Sequence, residues 1–470
     1  MPNFCQFELM FRITITTSVN LLLLPNFCTF TTKTAHKNKL AATNPGISQP
    51  IHLTNYLSLR LAMCVCLIQQ LIHLTIFYTY LQGMACKAQQ LTYDKYNKVS
   101  SNVRQDAEKL RKVLSSVVMV TENSGKKDKD FMVVAIGTGT KCISHTYLDK
   151  DGLAVNDCHA EIVARRAFLR FLYAQLHLCA EGKEKDSIFK KTRSGKYKLQ
   201  PCTSFLLYIS KAPCGTASVR HKGASQYLNT RAKIESKHGT SPVCETPQTW
   251  EDLKNGKENL LTMSCSDKIA RWNVLGTQGS LLSLYIDPIY FKSIIIGSAF
   301  NEEHLKCATN QRVIAISDLP EPHKVNQFLV LPVSEPYVES NRKPHCCSLN
   351  WSLGDEDAEV VKCKTGKQHI TKSETSPSRI CKKFLFKSFL SLWDQVASEG
   401  SKQAALQQLN LPLDNAQQVT AEQLQCTSYR KVKGLAEAYQ NAKQRLFDHF
   451  VQQSYGYWAK KPPEQDDFHL

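Results

Sequence analysis

Three short stretches of the chain hold residue types that could act on one substrate: Cys158-His159-Ala160-Glu161, Pro213-Cys214 and Ser264-Cys265-Ser266-Asp267. A His-x-Glu unit offers one imidazole ligand and one carboxylate able to shuttle protons, and a Pro-Cys unit offers a thiolate. Together they are the donor chemistry with which a zinc ion turns water against the amine-bearing carbon of a nucleobase. A second cysteine usually follows three residues after the first, but Ala217 stands there. A catalytic zinc keeps three protein ligands and one open position, so the third ligand must come from elsewhere. Cys265 is the best candidate, because it directly precedes the helical pattern Ile269, Trp272, Asn273, and a helix start favours a thiolate. Taken singly, a buried cysteine is usually core filler and a His-x-Glu a surface accident; it is their conjunction, with Pro213 in register, that points to metal. Cys158 is read as packing, since its side chain should leave on a different face from His159.

The elements that must position these residues are legible in outline. Asn156 and Asp157 are capping residue types, and Ile162, Val163, Ala167, Phe168, Phe171 and Leu172 recur at helical spacing, which predicts His159 and Glu161 in a first helical turn. Strands are predicted over 115–121, 131–136, 205–209 and 294–297, a helix over 106–114, and continued helix over 281–286. Three helical patterns near Lys382, Ala404 and Tyr429 close the chain. Strands alternating with helices imply an α/β layered core with an added helical C-terminal part. Residues 181–198 and 219–254 read as loops, the second rich in Gly, Ser, Thr, Lys and His with two prolines. Tyr429, Lys433, Gln440 and Lys443 share one face of a predicted C-terminal helix, beside an apolar face of Leu435, Tyr439, Ala442 and Leu446.

Composition sets the frame. A formal charge of +18 and a pI of about 9.1 attract phosphates in a salt-dependent way. With 470 residues, 42% of them apolar, one large core or two ordinary ones can form. Eighteen cysteines without a repeated spacing read as reduced thiols of cytosol or nucleus, not as a secreted disulfide framework. The first ninety residues do not match the rest. Residues 61–86 lack Asp, Glu, Lys and Arg and are long enough to span a bilayer, although Gln69, Gln70, His73 and Gln82 interrupt them. The apolar run 20–30 lacks a clean small-residue cleavage site. Residues 1–83 are therefore read as an atypical apolar leader outside the mature protein, 84–112 as a linker and 113–470 as the main domain. A membrane anchor is the alternative. No internal repeat is visible.

The motifs carry a resemblance. Asn156-Asp157-Cys158-His159-Ala160-Glu161 with Arg165-Arg166, then Pro213-Cys214-Gly215, and Ser264-Cys265-Ser266-Asp267-Lys268-Ile269-Ala270-Arg271-Trp272-Asn273-Val274 resemble the deaminase domain of adenosine deaminases that act on double-stranded RNA. The likeness runs over 113–470 and includes Gly137-Thr138-Gly139-Thr140-Lys141, Lys233-Ile234-Glu235-Ser236 and the tail Trp458-Ala459-Lys460-Lys461-Pro462. A tRNA adenosine deaminase shares the zinc motifs, but the Lys233-Ile234-Glu235-Ser236 loop and the tail are more similar to the double-stranded-RNA editases.

What this resemblance implies can be stated residue by residue. The fold would be a cytidine-deaminase-like layered core, a central sheet flanked by helices, with added C-terminal helices around a buried polyanion. Zinc would be held by His159, Cys214 and Cys265, with Glu161 moving protons during hydrolytic deamination of adenosine to inosine in structured or double-stranded RNA. Inositol hexakisphosphate would be enclosed by Asn156, Arg165, Arg166, Lys268, Arg271, Trp272, Lys382, Tyr429, Lys433, Gln440, Lys443, Trp458 and Lys461, with Asp157 and Lys233 relaying toward it. So many buried cations would be prohibitive without a polyanion. Thr140 and Lys141 would contact the flipped nucleotide, and the 219–254 loop would enter the RNA. There the chain departs from the family, with His238 where an acidic residue is usual and Lys237 where glycine is usual. Family members of this type also carry double-stranded-RNA-binding domains ahead of the deaminase, and the first ninety residues do not supply one. A tRNA-specific adenosine deaminase and a non-catalytic RNA-binding relative are the alternative functions, a homodimer stays open, and no membrane partner is expected unless the apolar leader is retained. The nucleus, with the cytoplasm second, is the expected location.

Overall fold

The computed structural model describes residues 51–103, 112–122, 129–218, 233–236, 239–242, 248–256, 261–335, 346–369, 375–409 and 419–470. His238 and most of the predicted helix 106–114 fall outside these residues; Leu114 already belongs to a strand. The chain divides into two compact units, Met1–Leu81 and Gln82–Leu470.

In chain order, the elements that matter are helix α1 (Ile51–Ser100), strands β1 (Leu114–Glu122), β2 (Lys129–Thr138), β3 (Thr140–Cys142) and β4 (Asp157–His159), and helix α2 (Ala160–Ala180). Strands β5 (Thr203–Ile209), helix α3 (Cys265–Leu275), and strands β6 (Phe291–Ile296), β7 (Leu329–Pro332), β8 (Cys347–Ser352), β9 (Glu359–Lys362), β10 (Lys367–His369) and β11 (Thr375–Ser376) follow. Helices α4 (Lys382–Val396), α5 (Glu399–Leu409), α6 (Tyr429–Gly434) and α7 (Glu437–Gln452) close the chain.

Nine strands form one mixed sheet in the order β7-β6-β5-β1-β2-β8-β9-β10-β11. The β5–β6 and β6–β7 pairs are parallel and the other pairs antiparallel, with Ser115 to Thr121 opposite Ile209 to Thr203. Central strands buried on both faces explain the nearly continuous apolar runs Phe205-Leu206-Leu207-Tyr208-Ile209 and Ile294-Ile295-Ile296. Helix α2 lays its apolar stripe on the sheet, where Phe168 packs edge-to-face on Phe205 with ring centres 4.8 Å apart. Outside it, Phe386, Phe389 and Trp393 of α4 pack with Tyr285. The α/β layered core with helices added at its C-terminal end is therefore present.

Several local expectations change. Residues 84–112, read as a linker, are helical as far as Ser100, and the 82–100 part of α1 buries Ala85, Ala88 and Tyr96 and joins Thr92 Oγ1 to Ser116 Oγ at 2.6 Å. Within 281–286 only Leu281 and Leu282 are helical, because Leu284 and Tyr285 form turns that hand the chain to β6. The stretch 181–198 contains the hairpin arm Phe189–Lys191, paired with Tyr197–Leu199, and 219–254 contains the paired segments Lys233–Ser236 and Gly239–Pro242. The single C-terminal helix is two, α6 and α7, broken at Leu435 and Ala436, where both side chains turn into the core. Among the described residues no helix is long and apolar enough to cross a membrane.

Candidate active site and metal centre

The site begins with a backbone device. Gly139, at φ +127, lets the chain leave β2 and start β3, and a Cβ there would stand 2.1 Å from the Cys158 carbonyl oxygen. The β3 and β4 strands then pair antiparallel, Thr140 opposite His159, Lys141 opposite Cys158 and Cys142 opposite Asp157. His159 is thus not inside a helical turn: it ends β4 and occupies the cap position before α2, and neither Asn156 nor Asp157 caps that helix. Asp157 does something else. Its Oδ1 accepts from the His159 backbone N–H at 3.0 Å and sits 2.7 Å from Nδ1, which fixes the ring and engages Nδ1, so that Nε2 is the nitrogen suited to a metal. Cys142 Sγ, 3.8 Å from Nδ1, borders the same ring edge.

The thiolates arrive from two other elements. After β5, the Pro213-Cys214-Gly215 turn is pinned to the start of α3: Ser266 Oγ donates to the Cys214 carbonyl at 2.6 Å, and the Cys265 N–H lies 3.3 Å from Cys214 Sγ. Gly215 is required here, with φ +93 and only 2.3 Å from a notional Cβ to Ser264 Oγ. Ser264 caps α3 by accepting the Asp267 N–H, as a helix start demands. His159, Cys214 and Cys265 bring one ligand atom each to within 4.8 Å of one another. Glu161, 3% exposed in the first turn of α2, faces them closely enough that its charge raises the Cys265 thiol.

The donor set fits a cation. Burial first, then Cys214, push the Cys265 thiol well above its ordinary value, so two adjoining thiols cannot both ionise there unless a positive charge joins them. Cys158, fully buried and packed with Val155 and Cys363, takes no part, as its position in the sequence predicts. Thr140 shares the His159 side of the ribbon, while Lys141 goes with Cys158 and meets Cys346 Sγ at 3.5 Å.

Sequence reasoning missed two supports. Asp267 pairs with Arg312 at 2.7 Å, both fully buried, which anchors the α3 start. Arg312 lies 45 residues further on, with no motif to mark it. Asp466, near the C-terminus, lies between Lys382 at 2.6 Å and Lys433 at 2.7 Å. Burial would raise its carboxyl, and Lys433 and then Lys382 overcome that and hold it well below the carboxylate range.

Beneath the donor set the predicted basic residues converge. Burial would raise Asp157, yet Lys268 and His159 hold it well below its ordinary value, so Lys268 is the cation seen on Asp157; the side chain of Lys233 lies outside the described residues. Arg165 Nε donates to the Thr277 carbonyl and Arg166 Nε to that of Ile380, and Arg166 Nη2 is buried without a hydrogen-bond partner. Arg271 lies over the Trp458 ring and Arg165 over Trp272. Asn156 donates to Gln465, and Gln440 donates to Ser280 Oγ and to the Lys433 carbonyl. Tyr429, stacked on Phe468, is raised by burial. Lys443 is pushed down to about 8 by burial, then Lys433 and Arg271; Lys461, which water still reaches, falls to about 8 by burial, then Lys382 and Lys268. Eight cations (Arg165, Arg166, Lys268, Arg271, Lys382, Lys433, Lys443, Lys461) thus face two paired carboxylates, Asp157 and Asp466.

A buried glutamate beside a His/Cys/Cys donor set, built on two helix starts beside a mixed sheet, is the kind of arrangement found in metal-dependent nucleobase deaminases. The chain belongs to the adenosine-deaminase (editase) domain family, whose model matches residues 135–462. It is 36% identical over 407 residues to the double-stranded RNA-specific editase B2 of Mus musculus, covering 83% of this chain and 51% of that protein. Against the double-stranded RNA-specific editase Adar of Drosophila melanogaster the identity is 37% over 398 residues, 81% of this chain and 54% of that one. The tRNA-specific adenosine deaminase 1 of Mus musculus is more distant, 27% identical over 462 residues, 72% of this chain and 88% of that one. The chain spans about half the length of the editases it matches. Membership implies a metal, and His159, Cys214 and Cys265 are the residues offered to it.

Proposed function

We propose that this protein is a zinc-dependent RNA adenosine deaminase that converts adenosine to inosine in double-stranded or structured RNA. The observation that carries the reading is the convergence of His159, Cys214 and Cys265 within 4.8 Å next to buried Glu161. His159 Nε2 and the two thiolates would hold the ion. Zinc, when bound, supplies the Lewis acidity that makes water a nucleophile near neutral pH. Glu161 takes one proton from the attacking water and gives it to the purine ring nitrogen, then takes the second from the new C6 hydroxyl and gives it to the amine, so that the C6–N bond breaks, ammonia departs and C6 is left as a carbonyl. Asp157 would hold His159 in the tautomer whose Nε2 lone pair can ligate the ion. Thr140, on the His159 side of its ribbon, would contact the ribose or base of an extruded nucleotide.

The cation cluster supports inositol hexakisphosphate as a structural cofactor. Arg166 Nη2 without a partner, and a lysine depressed by burial and then by neighbouring cations, Lys443, are groups whose charge a polyanion would offset. Duplex RNA is preferred to tRNA as substrate because likeness at this level of identity runs over more of the chain for the editases than for the tRNA deaminases. The test is sequencing of cDNA from a long duplex and from tRNA after incubation with purified protein, beside Glu161→Ala. A-to-G changes in the duplex, absent with a Glu161→Ala protein that retains stoichiometric metal, are expected. Changes confined to tRNA would move the substrate, and equal activity of the variant would overturn the mechanism.

A further inference from the structure

Lined by none of the metal-site or cation-cluster residues, a cavity of about 300 Å³ opens between the turn before β6, the 320–323 loop and the starts of α5 and α7. Its walls are largely apolar, with Leu284, Ile286, Pro322 and Leu435 among them. The polar side chains of His323 and Lys196 line it beside several serines, Glu437 and Tyr439. His323 is 5% exposed, its ring edge-on to Tyr439 at 5.9 Å, and neither ring nitrogen makes a hydrogen bond to protein. Burial lowers it to about 4, the nearby Pro320 carbonyl opposes weakly and Lys196 adds to the fall, so the imidazole is neutral with one N–H to donate. Lys196 gives one of its three hydrogens to the Ser283 carbonyl at 3.1 Å and keeps two.

Two helices begin on the same cavity. Gly400 and Ser401 open α5, eleven residues long, and Glu437, Ala438 and Tyr439 open α7, sixteen residues long, whose cap position is Ala436 with no side chain to offer. Each helix start adds about half an elementary charge, although Ser398 Oγ already accepts the Ser401 N–H at 3.2 Å and the Leu435 carbonyl accepts the Glu437 N–H at 2.9 Å. Against these stand Asp287, close to Lys196, and the exposed carboxylates of Glu437 and Glu399, the last 4.0 Å from Lys402. One ammonium already shared with Asp287, a neutral imidazole and two half-charges suit a single negative charge and not a dianion.

We propose that this cavity binds a small organic monocarboxylate, its carboxylate between Lys196, His323 and the two helix starts, and its apolar body against Leu284, Pro322 and Leu435. The probe is 3-phenylpropionate, titrated calorimetrically into the full chain at neutral pH, with 3-phenylpropanol and phenyl phosphate as comparators. Saturable one-to-one binding of the carboxylate is expected, with the alcohol and the phosphate weaker by about tenfold or more. Lys196→Met and His323→Phe should each weaken the carboxylate by about the same factor while keeping the parent unfolding midpoint. Should His323→Phe fail to fold, the imidazole ¹⁵N signals of His323 in the parent protein decide: the carboxylate must shift them and the alcohol must not. Absent saturable binding, equal binding of the alcohol, tighter binding of the phosphate, or an unchanged Lys196→Met would each overturn the site.

Discussion

At the scale of single residues, Asp157 links the two polar systems of the molecule. One oxygen orients the His159 ring and the other meets Lys268, so a single carboxylate joins the metal ligand to the cation cluster. Replacing it with asparagine keeps the shape but removes the charge that selects the His159 tautomer. Asp157→Asn should therefore lower metal affinity by about 10- to 100-fold, the usual cost of losing such a support, measured by competition with a chromogenic chelator. An unchanged affinity would mean that the ring is held by its backbone alone. Glu161→Ala has the opposite signature, full metal content without turnover, since it removes a proton carrier and no ligand.

At the scale of elements, the α3 start is held by Ser264 and by the Asp267–Arg312 pair, and the Pro213-Cys214-Gly215 turn is bonded to that start through Ser266. Arg312 also covers the Phe450 and Tyr455 rings, so α7 and α3 share it. Arg312→Met leaves Asp267 charged, buried and unpaired, which should cost about 3–5 kcal/mol of stability in chemical denaturation. Metal content should fall with it, because Cys265 is two residues from Asp267. Gly215→Ala should lose metal by a different route, a collision with Ser264 Oγ at an unfavourable φ, while leaving the sheet intact by circular dichroism.

For the whole molecule, the cation cluster ties the C-terminal helices and the tail to α2 and α3, and its charge balance makes stability depend on what it holds. Lys443 sits at about 8 against an ordinary 10.5. With a folded value below the unfolded one, the unfolded chain binds more protons between pH 8 and 10.5, so the penalty for burying this ammonium is present in full below pH 8 and is relieved as pH rises through that window. Protein freed of polyanion should accordingly gain unfolding midpoint between those pH values, and Lys443→Met should flatten the gain. With inositol hexakisphosphate bound, the charged ammonium is favoured and the trend should vanish or reverse. Lys433→Glu with Lys443→Glu should yield insoluble protein, and a soluble, active double variant would count against an enclosed polyanion.

Much of the site was legible because its chemistry is written in residue types at short spacing. His159, Glu161, Cys214 and Cys265 could be named, Cys158 could be set aside, and the strands 115–121, 131–136 and 205–209 stood out as β-branched and aromatic runs between polar turns. Local sequence carries these signals since they depend on side-chain period and donor chemistry alone. It could not say that Asp157 lies in a strand and that His159 ends it instead of sitting inside a helical turn, because that choice is made by Thr140 and Cys142 pairing with them after the turn at Gly139. Nor could it reveal Arg312 under Asp267, Asp466 between Lys382 and Lys433, or the break that divides α6 from α7. Those are contacts between residues far apart in the chain, and long-range packing, with the burial that comes with it, chose among conformations that local preferences leave nearly equal in energy.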